Sequence, residues 1–256
     1  MHRVDQLLSL FEASLDELDL AEDLGALAQP MRYALAGGGK RLRPVLCLAT
    51  AEAAGADPHD ALPAGTAIEL VHTFSLAHDD LPALDDDDER RGRPSVHVAF
   101  GEAEAILAGD ALLAEAVRLA LSYPDASVAR ELVGAVVGMI GGQARDIAGE
   151  NGDLDALHRL KTGRLFAACV GCGLWVARVP EAEQAPWRAF GEELGPLFQL
   201  VDDILDEDGA VLVHGVDGVR RLADEAAERA RARLREVPAD TSVLEEIVAG
   251  LAARTA

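Results

Sequence analysis

The chain has 256 residues, of which 50% are hydrophobic and only 4% aromatic, and its formal net charge is −22. This length provides ample material for a core, and a composition rich in Ala and Leu favours helices over sheets. The negative charge argues against nucleic acid or an anionic membrane surface as a partner.

The start of the chain does not combine a basic segment, an apolar core and a cleavage site, so we expect no secretory signal. No uninterrupted apolar run reaches the roughly eighteen residues of a membrane span. The expected compartment is therefore the cytoplasm. Cys169 and Cys172 form a C-x-x-C pair inside an apolar run of small residues, with no histidine nearby. We expect buried thiols there rather than a zinc or redox site.

Helical spacing of apolar residues recurs along the chain. It predicts a helix that ends near Ala36 and further helices over residues 3–24, 45–56, 61–80, 101–122, 126–149, 154–178, 184–206, 216–236 and 240–254. No stretch shows the alternation typical of a strand, and no linker or repeat divides the sequence. The fold class expected is therefore all-α, with one domain over residues 1–256.

The second helix is broken by Gly37–Gly39, and the cations Lys40, Arg41 and Arg43 follow at once. Such cations can simply complement a helix C-terminus. They can also form an anion site, since glycines let backbone N–H groups approach a phosphate while lysine and arginine pair with it. The spacing does not match a nucleotide-binding P-loop.

An almost wholly apolar helix over residues 61–80 ends in Asp79 and Asp80, and Pro82 should break it. His72 lies about two turns before Asp79 on the same face, either as a buried core histidine or as a site residue. Asp85 follows Asp79 by six positions, which would direct their side chains about 120° apart on an ideal helix. Only a distorted backbone could therefore bring both to one metal ion.

A second acidic cluster, Asp202, Asp203 and Asp206, has the spacing of one helix face. Like charges in that arrangement destabilise a helix, and a divalent cation would remove the repulsion. Gln199 lies one turn earlier. Gln143 and Asp146 end another apolar helix, as tertiary hydrogen-bond partners or as site residues. Lys161 and Thr162 interrupt a further apolar run.

Two aspartate clusters with cations near one of them suggest a shared cavity for a diphosphate. Mg²⁺ commonly bridges carboxylates to phosphates, and arginine and lysine would neutralise the remaining charge. Such a site suits diphosphate as a leaving group. The surrounding apolar helices would hold an apolar chain and exclude water.

The stretch HDDLPALDDDDERRGRP resembles the first aspartate-rich motif of the trans-isoprenyl diphosphate synthases, and FQLVDDILD resembles the second. GGGKRLRP, GGQARD and KTG are similar to the other family signatures and occur in the right order. The resemblance extends over about residues 30–208. It implies the isoprenoid synthase fold, a homodimer, and head-to-tail condensation of an allylic diphosphate with isopentenyl diphosphate.

The same resemblance implies roles for individual residues. Three Mg²⁺ ions are expected, two held by Asp79 and Asp85 with support from Asp80, and the third by Asp202 with Asp203 and Asp206. Isopentenyl diphosphate would be bound by Lys40, Arg43, His72 and Arg91. The allylic diphosphate would be bound by Arg90 and Lys161. The oxygens of Thr162 and Gln199 would stabilise the carbocation.

Product length in this family depends on side-chain bulk below the first motif. Phe74 lies five residues before Asp79, about 7.5 Å along the helix axis. Its bulk favours a farnesyl or geranyl product over a longer one, unless Phe74 is simply a core residue.

The sequence departs from the family after the second motif, where a lysine-bearing loop is expected. Residues 205–219 contain no lysine or arginine, so the loop is missing. A member that acts as the non-catalytic partner of an active subunit is therefore the alternative to an enzyme. A class I terpene cyclase is a third reading, although the Asn/Ser/Glu set of those enzymes is absent.

Overall fold

The structure, a computed structural model, describes residues 1–149, 154–207 and 209–255. Twelve α-helices can be numbered in this part of the chain. They are α1 (Val4–Asp16), α2 (Ala28–Leu35), α3 (Leu42–Ala53), α4 (Leu62–Asp79), α5 (Val96–Phe100), α6 (Glu102–Ala120), α7 (Ser127–Ile147), α8 (Leu154–His158), α9 (Arg164–Val176), α10 (Ala185–Asp206), α11 (Ala210–Leu234) and α12 (Ser242–Ala252). Two-residue strands, β1 (Glu89–Arg90) and β2 (Arg93–Pro94), form a small antiparallel hairpin. The all-α prediction is confirmed.

Helix α4 lies at the centre of the bundle, where it contacts α3, α6 and α9. Its side chains are buried on almost every side from Ala64 to Ala77, as its lack of a polar face predicts. Burial holds this helix rigidly, because interiors are close-packed. The acidic residues at its C-terminal end are therefore delivered to a fixed place.

A single π-helical turn, Arg159–Gly163, separates α8 from α9 and carries Lys161 and Thr162. It is confined between two glycines of neighbouring helices. A Cβ atom on Gly195 of α10 would come within 2.4 Å of Gly163 Cα, and one on Gly142 of α7 within 2.7 Å of the Lys161 backbone nitrogen. Close backbone contact on both sides thus fixes a turn of a kind that is frequent at functional sites.

One helix end differs from its predicted position, and one helix is preceded by a short segment that the sequence does not predict. Helix α1 ends at Asp16 rather than near residue 24, and a 3₁₀ segment, Glu22–Leu27, follows. Helix α11 extends from Ala210 to Leu234, but its backbone breaks at Gly215 (φ 67°, ψ 161°), so the uninterrupted helix begins at residue 216 as predicted. The short helical segment before the break starts at Ala210, whose N–H donates a hydrogen bond to the Asp203 carboxylate at 3.0 Å. A side chain of the preceding helix thereby satisfies a donor at the start of α11.

The three cysteines, Cys47, Cys169 and Cys172, are free and buried, in agreement with the prediction of buried thiols. Burial raises the pKa of the Cys169 thiol to about 12. None of the described helices is long and apolar enough to cross a membrane.

Candidate active site

Two cavities meet at the π-helical turn. The larger, about 970 Å³, has Thr162 in its wall, and the smaller, about 280 Å³, has the adjacent Lys161. The predicted site residues in the wall of the large cavity are Lys40, Arg43, His72, Arg90, Arg91, Thr162, Gln199 and Asp202. Those in the wall of the small cavity are Phe74, Asp79 and Lys161. The fold therefore gathers residues from distant parts of the sequence around two adjacent spaces.

The backbone reverses direction directly after α4, at the first acidic motif. The Asp85 N–H donates to the Asp79 carbonyl at 2.9 Å, and the Asp87 N–H donates to the Asp80 carbonyl at 3.2 Å. Asp86 adopts a left-handed conformation with φ 56°, which aspartate tolerates better than most residues. This is the backbone distortion that a joint role of Asp79 and Asp85 requires.

The environment of Asp79 disfavours its ionised form. Burial raises the pKa of this carboxyl group to about 6, against a favourable contribution from Lys161 and with further repulsion from Asp85 and Asp80. Asp79 is also the last residue of α4, where the negative end of the helix dipole opposes a carboxylate. The protein therefore gives the ionised Asp79 carboxylate little stabilisation, and a bound cation would supply it.

Asp80 differs from Asp79 because it already has a strong partner. Its carboxylate is only 2% exposed, and it accepts a hydrogen bond from Arg90 Nε at 2.9 Å. Arg90 Nη2 also donates to Asp87 at 2.8 Å. Asp80 and Asp87 thus hold the guanidinium of Arg90 in the wall of the large cavity.

The second acidic motif also divides its carboxylates between two environments. Asp202 lies in the large cavity, and burial raises its pKa to about 6, although Arg254 favours the charge. Asp203 instead points into the protein, where its side chain accepts hydrogen bonds from Gln199 Nε2 at 2.8 Å and from the Ala210 N–H at 3.0 Å. Asp206 is exposed. Helix α10 continues through Asp206, so the spacing of the three residues on one face is kept, but their environments differ because the buried Asp203 side chain is hydrogen-bonded to the start of α11.

A chain of hydrogen bonds links the π-helical turn to the second motif. Thr162 Oγ1 donates to Gln199 Oε1 at 3.2 Å, and Gln199 Nε2 donates to Asp203. An ionised carboxylate can only accept hydrogen bonds, so the amide nitrogen of Gln199 must face Asp203. The amide oxygen is thereby directed to Thr162.

The predicted phosphate-binding cations lie together on one side of the large cavity. Arg43 Nη1 lies 3.5 Å from His72 Nε2, and its guanidinium lies 4.6 Å from the Phe166 ring centre and 5.1 Å from that of Phe198. Arg91 donates to the Gly38 carbonyl of the glycine-rich loop. Burial together with Arg43 and Arg91 lowers the pKa of His72 well below its ordinary value, so its imidazole is neutral at neutral pH.

The sequence left Asp146 and Gln143 as either tertiary hydrogen-bond partners or site residues, and the structure gives a different answer for each. Asp146 forms an ion pair with Lys161 at 2.7 Å, so it is a tertiary partner that holds this lysine. Gln143 lines the small cavity, and its buried Oε1 has no hydrogen-bond partner among the described residues. Phe74 is 7% exposed and lines the same cavity, so it is both a core residue and a cavity wall.

Sequence reasoning missed Arg254 and the pair formed by Arg41 and Glu69. Arg254 Nη2 lies 3.7 Å from Asp202 Oδ1, and its guanidinium lies 5.7 Å from the Phe198 ring centre. Arg41 is buried against Glu69 of α4. No sequence pattern signals either contact, because each joins elements that are remote along the chain.

The connection after the second motif is short. Only residues 207–209 separate α10 from α11, and Glu207 and Gly209 both have positive φ. The first turn of α11 then exposes Leu212 and Val213, at 79% and 74%. The lysine-bearing loop expected at this point is thus replaced by a tight connection followed by an exposed apolar turn.

Comparisons with known proteins agree with this geometry. The polyprenyl synthetase family model matches residues 25–215. The farnesyl diphosphate synthase of Bacillus subtilis (strain 168) is 41% identical over 222 residues, which cover 81% of this chain and 73% of that protein. The geranylgeranyl diphosphate synthase of Cyanophora paradoxa is 41% identical over 192 residues, 69% of this chain and 64% of that protein.

A solved structure of a geranyltransferase from Legionella pneumophila superposes with a TM-score of 0.88 at 31% identity, covering 98% of this chain and 96% of that one. A farnesyl/geranylfarnesyl diphosphate (FPP/GFPP) synthase from Zymomonas mobilis gives a TM-score of 0.85 at 34% identity, covering 97% of each chain. These likenesses confirm the isoprenoid synthase fold. The chain belongs to the polyprenyl synthetase family of trans-isoprenyl diphosphate synthases.

Proposed function

We propose that this protein catalyses the Mg²⁺-dependent head-to-tail condensation of isopentenyl diphosphate with dimethylallyl or geranyl diphosphate, with farnesyl diphosphate as the product. The observation that carries the proposal is the large cavity, where Lys40, Arg43, His72 and Arg91 face a space that also contains Asp202. Family membership supports a prenyltransferase. The curated relatives include both farnesyl and geranylgeranyl diphosphate synthases, so the product is argued from the small cavity below.

The cationic wall suits the diphosphate of isopentenyl diphosphate. Arginine and lysine pair with phosphate oxygens, and neutral His72 can donate one N–H. The two phenylalanine rings beside Arg43 hold its guanidinium through cation–π contacts. The cavity wall is therefore organised before the substrate arrives, which lowers the cost of binding.

The allylic diphosphate would be bound by Arg90 and Lys161, whose carboxylate partners hold them in place. Breakage of its C1–O bond leaves an allylic cation, and diphosphate departs with the electron pair. The double bond of isopentenyl diphosphate then forms the new C–C bond to C1, and the proton lost from C2 passes to the released diphosphate.

Thr162 and Gln199 are oriented to stabilise that cation. The Thr162 hydroxyl donates its proton to the Gln199 amide oxygen, so its lone pairs remain available to a positive carbon. Asp203 keeps the Gln199 amide nitrogen turned away. Oxygen atoms rather than N–H groups thus face the charge that develops, which is the requirement for electrostatic stabilisation.

The carboxylates available to Mg²⁺ are Asp79, Asp85, Asp202 and Asp206. Among the described residues no three carboxylate, imidazole or thiol groups lie close enough together to hold a metal ion by themselves. The donor set nevertheless suits magnesium, which usually takes one or two carboxylates and completes its shell with water and substrate phosphate oxygens. The raised pKa values of Asp79 and Asp202 support the same assignment. When bound, magnesium stabilises the negative charge that develops on the departing oxygen.

The alternative of a non-catalytic partner subunit rests on the tight connection after α10, which carries no lysine. The relatives named as active synthases do not favour it. It predicts that the chain binds substrate without turnover and becomes productive only when mixed with an active subunit.

The proposed reaction is tested with purified protein, Mg²⁺, isopentenyl diphosphate and geranyl diphosphate. We expect farnesyl diphosphate, identified by chromatography of the dephosphorylated products, and no product when Mg²⁺ is chelated. Recovery of geranyl diphosphate as the longest chain would contradict the proposal. The same mixture without isopentenyl diphosphate distinguishes a terpene cyclase, which would release a hydrocarbon.

The Asp79→Asn variant should be more stable than the parent in the absence of metal and much less active in its presence. The folded-state pKa of about 6 lies above the ordinary value of 3.8, so folding is penalised above about pH 6 and not below about pH 3.8. We expect a gain of about 1–2 kcal/mol in the free energy of unfolding at pH 7.5, after a discount for solvent screening.

Thermal unfolding with chelator, from pH 7.5 to pH 4, measures this effect, and the gain should shrink towards zero as the pH falls. Activity with Mg²⁺ should fall about 10²-fold or more. Asp88→Asn is the matched control, because the Asp88 side chain is 89% exposed in the same loop. A stability change in Asp79→Asn that is independent of pH would refute the electrostatic account.

Phe74 is proposed as the residue that limits product length. The small cavity, about 280 Å³, contains Asp79 and Lys161 together with Phe74 and Met139, so it can receive the tail of an allylic substrate. It is smaller than most ligand cavities, which begin at about 300 Å³, and this favours a short chain. Phe74 also packs edge-on against His78 at 5.4 Å between ring centres.

Replacement Phe74→Ala should shift the product distribution towards chains longer than farnesyl, because the cavity deepens by the volume of the ring. Product chromatography measures the shift. Phe100→Ala removes a ring that contacts Tyr33 and does not line the cavity, so it should leave the distribution unchanged. An unaltered distribution in Phe74→Ala would show that another residue sets the length.

We further propose a homodimer. Helix α6, the residue that follows it and helix α7 expose large apolar side chains that have no covering element among the described residues: Ile106, Leu107, Leu121, Val133, Val137, Ile140 and Ile147. On α7 these recur at helical spacing, so they form a continuous stripe. Exposed apolar patches of this kind mark protein–protein interfaces, and a two-fold axis would pair the stripe with its copy.

Light scattering should give twice the chain mass of 27.0 kDa, and Val137→Glu should give the monomer mass because it places a charge in the stripe, where Val137 is 65% exposed. Leu212→Glu is the control, since Leu212 is 79% exposed outside this face. A monomeric parent protein, or a Val137→Glu variant that remains dimeric, would contradict the assignment.

A further inference from the structure

Arg41 and Glu69 form the most deeply buried ion pair among the described residues, and the proposed reaction does not use it. Both side chains are only 4% exposed, and Arg41 Nη1 lies 2.5 Å from Glu69 Oε1. The same guanidinium donates from Nε to Glu12 at 2.9 Å and from Nη2 to the Leu35 carbonyl at 2.7 Å. One side chain thus ties together α1, the end of α2 and α4.

The position of the pair within the fold gives it a significance beyond packing. Arg41 follows Lys40 directly and precedes Arg43 by two residues, and Glu69 lies three residues before His72 on α4. The two halves of the cationic wall, the glycine-rich loop and α4, are therefore joined by this contact. The Arg41 backbone is left-handed, with φ 45° and ψ 32°, a conformation that costs energy for a non-glycine residue.

We propose that Arg41, held by Glu69, is a positioning residue for the isopentenyl diphosphate site. The ion pair fixes the conformation of residues 38–43 against α4, so that Lys40, Arg43 and His72 converge on one diphosphate. Arg41 and Glu69 both lie in the wall of the large cavity, but each of the three guanidinium nitrogens of Arg41 donates to a protein acceptor, so its role is to hold the loop rather than to bind the diphosphate. This inference rests on the proposed use of that wall for isopentenyl diphosphate.

The charge of Glu69 has a second effect on the same wall. Its carboxylate opposes the lowering of the pKa of Arg43 and of Arg91 that burial causes. Glu69 therefore offsets part of the repulsion among cations that are crowded together before a diphosphate binds. Removal of the Glu69 carboxylate should therefore increase the repulsion among these cations and also release the loop from α4.

Lysine cannot replace Arg41, because a lysine ammonium lacks the planar fork that reaches three acceptors in different directions. Arg41→Lys should raise the KM and the Kd for isopentenyl diphosphate about tenfold or more. The KM for the allylic diphosphate should stay within about twofold, since Arg90 and Lys161 contact neither partner of the pair. Glu69→Gln keeps the shape of the side chain and removes its charge. It should likewise raise the KM for isopentenyl diphosphate while the KM for the allylic diphosphate stays nearly unchanged.

Arg188→Lys is the matched control for a merely structural effect. Arg188 forms an ion pair with Glu131 at 2.8 Å, with the two side chains 34% and 19% exposed, and neither residue lines the large or the small cavity. This variant should lower the melting temperature without a change in affinity for isopentenyl diphosphate. Melting temperatures of all variants are measured alongside the kinetics.

Direct binding of isopentenyl diphosphate, by calorimetry on the Mg²⁺-loaded full chain, separates this inference from the proposed reaction. If the parent protein binds isopentenyl diphosphate but does not turn over, the reaction fails and Arg41→Lys must still weaken binding about tenfold. The positioning role would be overturned if Arg41→Lys weakened the binding of both substrates equally. It would also be overturned if the Kd for isopentenyl diphosphate were unchanged in Arg41→Lys despite a lower melting temperature.

Discussion

The whole site depends on charges of like sign held close together in a partly closed space. Burial raises the pKa of Asp79 and Asp202 to about 6 on the acidic side, and it lowers the pKa of Arg43 and of His72 on the basic side. Each cluster is thus strained by its own repulsion and by the loss of water. A bound diphosphate would relieve the repulsion among the cations, and a bound divalent cation would relieve the repulsion among the carboxylates.

Groups of like charge stay close together only if the helices that carry them do not move apart. Helix α4 meets this condition, because it is buried on almost every side and ends at Asp79. The π-helical turn is confined by Gly142 and Gly195, so the bulk of any side chain at these two positions would displace Lys161 and Thr162. Neighbouring side chains then fix the orientation of individual groups, as Asp146 does for Lys161 and Asp203 for Gln199.

The sequence predicts the fold well, because apolar periodicity reports directly on which face of a helix is buried. It also predicts that Asp79 and Asp85 need a distorted backbone to act together, and the hydrogen bond from the Asp85 N–H to the Asp79 carbonyl supplies the reversal. The aspartate-rich motifs and the cationic loop identify the family through resemblance.

The remaining features depend on contacts between distant segments, which periodicity does not report. Arg41 and Glu69 are 28 residues apart, and each is an ordinary charged residue in its own segment. Periodicity also does not report the short helical segment that precedes the kink at Gly215, where a carboxylate of α10 satisfies the N–H of Ala210. The same contact buries the Asp203 carboxylate, whereas Asp202 lies in the wall of the large cavity.

The short connection after α10 affects how many cations each side of the site can offer to a diphosphate. A charge-assisted contact contributes about 1.5–3 kcal/mol, and residues 205–219 offer no lysine or arginine for one. The guanidinium that the structure places beside Asp202 comes instead from Arg254, after the last α-helix. Arg90 and Lys161 belong to the other side, where carboxylate partners already orient them. An allylic diphosphate would therefore rely mainly on the side formed by the first motif and the π-helical turn, where the buried helix α4 and the close contacts of Gly142 and Gly195 fix the backbone.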